Sequence, residues 1–274
     1  MTMRFLELQD GDKIPILGLG TWMMGERARD AGGEVKALRL GLDLGMSLID
    51  TAEMYGEGGA EEIVREVIAG RRDEVFLVSK VLPQNASRKR TVEACERSLK
   101  RLGTDRLDLY LLHWRGSIPL EETLEAFAAL ERAGKIRHWG VSNFDASDMQ
   151  QLKAAPAANQ VLYNMTRRGI EWDLLPWCEE RRVCVMAYSP IEQGRILRNR
   201  TLTRLARARG CSAGQLALAW VLSRGGVVAI PKAARLEHVR ANRAALDIVL
   251  SSEERAALDA AFPPPGAARP LEML

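Results

Sequence analysis

Four side chains suited to proton transfer come at the ends of apolar segments or just beyond them. Asp50 ends the segment SLID, and Tyr55 follows five residues later in a glycine-rich stretch. Lys80 ends VFLVSK, and His113 follows LDLYLL. A free tyrosine, with a pKa near ~10, is a poor acid near neutrality, but a neighbouring ammonium lowers that pKa. An aspartate would keep the ammonium charged, and a neutral histidine would orient a carbonyl. Together, the four side chains predict a site that protonates a carbonyl oxygen while a hydride is added to the carbonyl carbon. Because side chains supply no hydride, a nicotinamide cofactor is required.

Each of these residues has an ordinary structural alternative when it is considered alone. Asp50 could cap the turn after its strand, and Lys80 could face solvent. His113 could be a hydrogen-bonded core histidine, and Tyr55 could lie on the surface. The functional interpretation requires all four side chains to reach one face of the fold, so it depends on the elements that carry them.

Apolar segments and helix-like segments alternate along the chain. Counting LGLGT, eight apolar segments are predicted as strands, and their continuous hydrophobicity is typical of parallel strands covered on both faces. At least seven helical segments separate them. This alternation favours an α/β fold, a (β/α)8 TIM barrel, in which the carboxyl ends of all strands face one site. The alternative is a doubly wound sheet, but Met23 stands where the dinucleotide fingerprint beginning at Gly18 needs its third glycine.

The two ends of the chain are predicted separately. Asp10-Gly11 predicts a hairpin within residues 4–17, which we expect to close the bottom of the barrel. The stretch FPPPGAARP near the C-terminus lacks any periodic pattern. We expect residues 1–274 to form one barrel domain, with 262–274 as an exposed C-terminal tail.

Local signals also predict where several helices begin and end. Gly103 and Gly134 follow amphipathic segments and predict helix ends. Ser251 with Glu254 predicts a capping box before the last helix. One helix, at 213–223, is predicted in the longer segment before the last strand.

The composition limits which partners the protein is expected to bind and in which cellular compartment it is expected to occur. Of 274 residues, 47% are hydrophobic and 27% are charged, and the net charge of +3 is too balanced to indicate binding to nucleic acid or to a membrane. No run of about 18 apolar residues predicts a transmembrane helix, and the N-terminus lacks the apolar core of a signal peptide. Four cysteines without a CxxC pair are typical of a reducing compartment, so we expect a cytoplasmic protein. Three histidines without metal-ligand spacing predict no metal site.

Several short segments occur in a characteristic order. They are GLGTW, GMSLIDTAEMYGEGGAEE, VFLVSK, DLYLLHW, IRHWGVSNF, NQVLYN, MAYSP and AIPKA. In this combination the sequence resembles the aldo-keto reductase superfamily over essentially its whole length. The layout is most similar to bacterial members of the methylglyoxal- or diketogluconate-reductase type. The resemblance implies a TIM barrel that reduces a carbonyl with NADPH.

The resemblance assigns a role to each residue of the proton-transfer set. Tyr55 matches the proton donor, and Lys80 and Asp50 match the pair that tunes it. His113 matches the residue that orients the carbonyl. Side chains implied at the substrate are Trp22, Met54, Tyr55, His113 and Trp114.

Cofactor-binding residues are implied in the same way. Ser142, Asn143 and Gln160 match positions that hold the carboxamide, and Tyr188 matches the aromatic residue that stacks on the nicotinamide. Residues implied near the nicotinamide ribose and ring are Thr21, Trp22 and Asp50. Residues implied near the pyrophosphate, the 2′-phosphate and the adenine are Ser189, Lys232, Arg235, His238 and Asn242.

The segment after Lys232 departs from the family pattern. That pattern has IPKS and an arginine at the sixth residue after the lysine, whereas this chain has Ala233 and His238. The missing hydroxyl and guanidinium weaken the expected preference for a 2′-phosphate, and Arg235 could compensate. We therefore expect NADPH as cofactor, with NADH possible.

The segments around the expected pocket are short. WRGSIPLEE follows His113 and SPIEQGRILRN follows Tyr188, and loops of this length favour an open pocket. We therefore expect small aldehydes, dicarbonyls or keto-sugars as substrates. We also expect a monomer. The alternative is a nucleotide-binding regulatory subunit that senses redox state with little turnover, although the intact proton-transfer set argues against it.

Overall fold

The computed structural model describes residues 3–274 and contains two sheets and ten α-helices within that range. The strands are β1 (Phe5–Glu7), β2 (Lys13–Pro15), β3 (Gly18–Gly20), β4 (Leu48–Asp50), β5 (Phe76–Val81), β6 (Leu107–Leu112), β7 (Ile136–Ser142), β8 (Ala158–Leu162), β9 (Cys184–Tyr188) and β10 (Val227–Ala229). The helices are α1 (Ala28–Asp43), α2 (Gly59–Ile68), α3 (Arg88–Leu102), α4 (Leu120–Arg132), α5 (Ala146–Gln150), α6 (Leu174–Glu180), α7 (Arg200–Arg209), α8 (Ala213–Leu222), α9 (Leu236–Ala244) and α10 (Ser252–Ala261).

Strands β3 to β10 form a closed parallel barrel. Their order in the sheet is their order in the sequence, and every neighbouring pair is parallel. Parallel bridges from Leu17 to Ala229 and from Gly20 to Lys232 join the first strand to the last. The predicted (β/α)8 barrel is therefore confirmed, and the doubly wound alternative is wrong because an open sheet would leave these two edges apart.

The hairpin of β1 and β2 closes the bottom of this barrel. Its strands pair antiparallel, with Gly11 in the turn at a φ of +92°. The Gln9 amide donates to the carbonyls of Pro156 and Arg181, which precede β8 and β9. Leu8 and Ile14 extend the apolar cluster inside the barrel. Hydrogen bonds at the amino ends of two strands place the hairpin opposite the functional end.

The strands are apolar on both faces because each face is covered. Inward side chains such as Leu48, Val78 and Leu111 fill the barrel, whereas outward side chains such as Ile49 and Leu77 pack against the helices. Side chains alternate along a strand, so residues two apart share a face. By this alternation Asp50, Lys80 and His113 belong to the inward series.

Most of the predicted helix ends are confirmed. Gly103 caps α3 in the left-handed conformation at a φ of +63°, and Gly134 follows α4 at +68°. Ser251 and Glu254 form the capping box of α10.

Two helices, α7 and α9, were not predicted from the sequence. Helix α7 buries only Leu202 and Ala206, and α9 buries only Val239. Helix α9 therefore shows no apolar stripe, whereas Leu202, Leu205 and Ala206 of α7 share one face, a pattern from which this helix could have been predicted.

The last residues run back over the barrel without helix or strand. Phe262 is buried, and the Arg168 guanidinium donates to its carbonyl at 2.5 Å. Farther along, Glu272 pairs with Arg167, and Leu271 packs against the core. Within residues 3–274, no helix is both long and apolar enough to cross a membrane.

Candidate active site

Lys80 is the centre of a buried polar network at the carboxyl end of the barrel. Its side chain is fully buried, and its ammonium donates to Asp50 Oδ2 at 2.9 Å, to the Thr51 carbonyl at 2.8 Å and to the Tyr55 hydroxyl at 3.2 Å. The ammonium therefore uses all three of its donors. Asp50 and Lys80 lie on neighbouring strands, β4 and β5, which explains how a buried charge finds its counterion.

The turn that carries Tyr55 requires left-handed backbone conformations. Gly56, Glu57 and Gly58 have φ values of +56°, +54° and +97°. Gly59 has an ordinary φ, but a Cβ there would lie 2.5 Å from the Gly25 carbonyl oxygen. The turn therefore needs glycine for conformation at Gly56 and Gly58, and for close backbone approach at Gly59.

The pKa values of Tyr55 and Lys80 are both raised. Burial raises the pKa of Tyr55 most, and Asp50 adds to this, whereas the nearby Lys80 ammonium lowers it. Lys80 thus lowers the pKa of Tyr55 as expected, but burial, which the sequence does not show, raises that pKa by more. Burial lowers the pKa of Lys80, but Asp50 and Tyr55 together raise it by more. Tyr55 is therefore a protonated phenol and Lys80 a charged ammonium near neutral pH.

His113 faces Tyr55 as a neutral imidazole. The two rings lie edge to face with centroids 5.8 Å apart, and the Trp114 ring lies 4.8 Å from His113. Burial, with a smaller contribution from Lys80, lowers the pKa of His113 to about 3. Its Nδ1 is buried without a hydrogen-bond partner among the described residues. A neutral ring of this kind donates one N–H and suits a carbonyl oxygen.

Gln160 joins this network from the opposite wall of the barrel. Its amide Nε2 donates to Asp50 Oδ1 at 2.7 Å, and the residue is 2% exposed. One carboxylate oxygen of Asp50, on β4, thus accepts a hydrogen bond from Lys80, and the other accepts one from Gln160. The sequence predicted Gln160 only at the carboxamide, because strands β4 and β8 are not neighbours and nothing local links them.

Ser142, Asn143 and Tyr188 form a second chain of hydrogen bonds at the barrel mouth. The Tyr188 hydroxyl donates to Asn143 Oδ1 at 3.0 Å, and the Asn143 amide donates to the His113 carbonyl at 3.1 Å and to Ser142 Oγ at 3.2 Å. Ser142 Oγ donates in turn to the Gln160 carbonyl at 2.9 Å. Asn143 has a φ of +58°. These residues are brought together as predicted, beside the Asp50–Lys80 pair.

The rim of the mouth is largely apolar. Trp22 and Met54 are 45% and 41% exposed, and Trp114 is half-buried beside His113. Thr21 is buried beneath them, and its hydroxyl donates to the Asp50 carbonyl at 3.0 Å. Of the residues predicted at the substrate, Trp22, Met54 and Trp114 are thus at least partly exposed, whereas Tyr55 and His113 belong to the network itself.

The residues predicted for the phosphate end follow β9 and β10 or lie on α9. Lys232 follows β10 and is bridged to Gly20, so it lies beside the end of β3. Arg235 is exposed, with its guanidinium 3.0 Å from Glu237 Oε1 and 2.7 Å from His238 Nε2. Asn242 lies on α9, and Ser189 follows β9 at a φ of +47°. None of these contacts the Asp50–Lys80 network directly in the described range.

Two buried carboxylates near the mouth, Glu61 and Glu192, and the half-buried Glu53 were not predicted from the sequence. Glu192, at a φ of +49°, accepts from Asn164 at 2.8 Å and pairs with Arg167 and Arg195. Glu61 shares a helical face with Val64 and Ile68, so its spacing within an apolar stripe was a signal for burial that could have been used.

A group of potential metal ligands lies at the other end of the barrel. Asp10, Asp12 and His138 approach one another near the hairpin. His138 Nε2 is 2.9 Å from Asp12 Oδ2, and the same carboxylate oxygen pairs with Arg137. These contacts attach the hairpin to β7. The cluster is therefore explained as an ion-pair network between the two elements.

The barrel and the network at its mouth define an oxidoreductase of the carbonyl-reducing class. The chain belongs to the aldo/keto reductase family, whose family model matches residues 16–262.

Individual relatives are similar over the whole chain. Methylglyoxal reductase YeaE of Escherichia coli (strain K12) is 51% identical, with 100% of each chain covered. Glyoxal reductase of Bacillus subtilis (strain 168) is 35% identical, covering 93% of this chain and 91% of the relative. A crystal structure of an aldo/keto reductase from Klebsiella pneumoniae in complex with NADP and acetate matches with a TM-score of 0.96 and 52% identity, covering 100% of each chain.

Proposed function

We propose that this protein is an NADPH-dependent reductase of small aldehydes, dicarbonyls and keto-sugars. The observation that carries the proposal is the contact of the Tyr55 hydroxyl with the Lys80 ammonium at 3.2 Å, opposite the neutral His113 ring. This arrangement supplies a phenolic proton and an N–H donor to one point at the barrel mouth. Both groups are suited to a carbonyl oxygen that becomes an alcohol.

In this proposal each residue of the network has a separate task. His113 donates a hydrogen bond to the carbonyl oxygen and orients it. Tyr55 gives its proton to that oxygen, and the Lys80 ammonium stabilises the phenolate that remains. Asp50 keeps Lys80 charged and fixed, and Gln160 holds the second oxygen of Asp50. NADPH, when bound, supplies the hydride that reaches the carbonyl carbon.

The side chains at the mouth fit this cofactor. Ser142, Asn143 and Tyr188 present neutral hydroxyl and amide groups next to His113, and this donor set suits a carboxamide. Lys232 and Arg235 present cations on the exposed segment after β10, and this set suits a phosphate. We assign Thr21, Trp22, Ser189, His238 and Asn242 to the same cofactor site. The relative from Klebsiella pneumoniae was crystallised with NADPH and supports this choice.

Small carbonyl compounds are the proposed substrates. The relatives from Escherichia coli and Bacillus subtilis are named as methylglyoxal and glyoxal reductases. Trp22, Met54 and Trp114 offer an apolar rim that is open to solvent, which accommodates small substrates without enclosing them. We further propose that the chain is one domain and works as a monomer in the cytoplasm.

The proposal is tested by initial rates on a panel of aldehydes, dicarbonyls and keto-sugars with NADPH and with NADH. We expect oxidation of NADPH with methylglyoxal, and Tyr55→Phe is expected to lower kcat at least about 100-fold while sparing NADPH binding. Tyr110→Phe is the matched control, because it also removes one phenolic hydroxyl, which is buried in the core without a hydrogen-bond partner among the described residues, and leaves the proton donor intact. Full activity of Tyr55→Phe would refute the assigned role. Tight NADPH binding without turnover on the whole panel would favour a redox-sensing regulatory subunit.

A further inference from the structure

A buried carboxylate behind the Tyr55 turn is not part of the proton-transfer network. Glu61 lies in the first turn of α2 and is 0% exposed. Its Oε1 accepts from the Ser79 hydroxyl at 2.6 Å, and its Oε2 accepts from Arg101 Nε at 2.6 Å. We refer to Glu61, Ser79 and Arg101 as the Glu61 cluster.

The Glu61 cluster connects the two segments that carry the reacting groups. Helix α2 begins at Gly59, directly after the turn of Tyr55, and Ser79 precedes Lys80 on β5. Because side chains alternate along a strand, Ser79 points out of the barrel where Lys80 points in. The carboxylate thus bonds to the outer face of the same strand whose inner face presents Lys80.

Arg101 closes the cluster from α3. A Cβ at Gly58 would lie 2.7 Å from the Cδ and Nε atoms of Arg101, so this side chain lies directly against the backbone of the turn. The Arg101 side chain is 23% exposed, whereas Glu61 is completely enclosed. The guanidinium therefore covers both the carboxylate and the end of the Tyr55 turn.

The other end of the turn is attached to the same strand region. Glu53 Oε1 accepts from the Leu82 backbone N–H at 2.8 Å and from the Asn85 amide at 2.9 Å, both just beyond β5. Residues 53–61 are therefore attached to β5 and its following loop at both ends. Tyr55 lies between the two attachments.

A buried ion pair does not by itself explain why a carboxylate occupies this position. Apolar side chains of similar volume commonly stabilise a protein as well as a buried ion pair does, because the ions lose their hydration. What directional bonds add is a defined separation between the elements that they join. We propose that Glu61 is a positioning residue that sets the distance between the Tyr55 hydroxyl and the Lys80 ammonium. The inference rests on the proposed function.

The test compares Glu61→Gln with Glu62→Gln, a matched change at the next residue, which is exposed. Glu61→Gln keeps the size of the side chain but loses the charge that Arg101 needs. We expect kcat to fall about 10-fold, KM for NADPH to stay within about twofold, and the alkaline limb of the kcat profile to move to higher pH. The pH shift follows because Lys80 lowers the pKa of Tyr55 and would be farther away. Glu62→Gln should match the wild type.

Crystal structures of the same variants measure the separation without relying on turnover. Glu61→Gln should lengthen the contact of 3.2 Å between Tyr55 and Lys80, and Glu62→Gln should preserve it. Unchanged kcat and an unchanged distance in Glu61→Gln would overturn the inference, even if its melting temperature falls. If Glu61→Gln does not fold, Ser79→Ala removes one bond of the cluster and is judged by the same criteria. A wild type that reduces no carbonyl refutes the proposed function, while the measured distance still decides this inference.

Discussion

The Lys80 ammonium lies 3.2 Å from the Tyr55 hydroxyl and 4.7 Å from the centre of its ring, inside the wall of the barrel. This contact opposes the effect of burial, which raises the pKa of the phenol. The position of this ammonium therefore limits how far burial raises the pKa of Tyr55.

The Asp50–Lys80 pair is expected to be strongly coupled in stability. Lys80→Met leaves a buried carboxylate without its counterion and should lower the free energy of unfolding by about 3–5 kcal/mol. The double variant Asp50→Asn with Lys80→Met should recover part of this loss, because no uncompensated charge remains. A double-mutant cycle by urea unfolding measures the coupling. Strictly additive losses would contradict a direct ion pair at 2.9 Å.

The low pKa of His113 predicts acid sensitivity of the fold. Its pKa of about 3 in the folded protein lies below the ordinary value of 6.5, so at intermediate pH the unfolded chain binds the extra proton. The contribution of the neutral His113 ring to the free energy of unfolding is complete above pH 6.5. It is lost as the pH falls toward 3, by up to about 1.4 kcal/mol per pH unit. The free energy of unfolding, measured with urea between pH 7 and 4, should therefore depend less steeply on pH in His113→Gln than in the wild type. The difference in slope should correspond to about one proton.

The matched control for this experiment is His238→Gln, which changes an exposed histidine. The steep pH dependence of the wild type is assigned to His113 only if removing this surface histidine does not reduce the slope in the same way. In the same pH range, kcat should show no titration of His113, because the ring is already neutral. An identical slope for His113→Gln and the wild type would show that the imidazole is not held neutral by burial.

Lys232 is expected to determine cofactor preference. Loss of a charged hydrogen bond costs about 1.5–3 kcal/mol, which corresponds to a rise of at least about 10-fold in KM. Lys232→Met should show this rise for NADPH and less than about a twofold change for NADH, which lacks the 2′-phosphate. Arg240→Met, on the exposed side of α9, is the control for a general loss of positive charge. An equal rise for both cofactors would place Lys232 away from the 2′-phosphate.

Two glycines of α1 are expected to respond in opposite ways to alanine. A Cβ at Gly32 meets no atom within 4 Å, whereas a Cβ at Gly41 would lie 2.6 Å from the Leu19 side chain. Gly32→Ala should raise the free energy of unfolding by about 0.5–1 kcal/mol, because glycine is unfavourable within a helix. Gly41→Ala should lower it by about 1–3 kcal/mol through overpacking. Thermal and urea unfolding of both variants measures the contrast, and a loss of stability in Gly32→Ala would refute it.

The sequence alone determined the barrel and the residues at its mouth. Alternation of apolar and amphipathic segments predicted the fold, because each parallel strand must be covered on both faces. Asp50, Lys80 and His113 could be placed together because each comes at the carboxyl end of an apolar strand, on the side of the strand that faces into the barrel. Their convergence required only that the carboxyl ends of barrel strands meet.

Only the tertiary structure decided contacts that span the barrel and the environment of each charge. The bond between Gln160 and Asp50 joins residues 110 positions apart, and no local pattern links them. The sign of the Tyr55 pKa shift depends on burial, which outweighs the Lys80 ammonium that the sequence had placed beside it. The attachment of Glu61 to Ser79 and Arg101 is equally nonlocal, since it needs α2, β5 and α3 in contact. Spacing in a sequence thus identifies which groups share an end of the fold, whereas desolvation and cross-barrel bonds depend on how closely they pack.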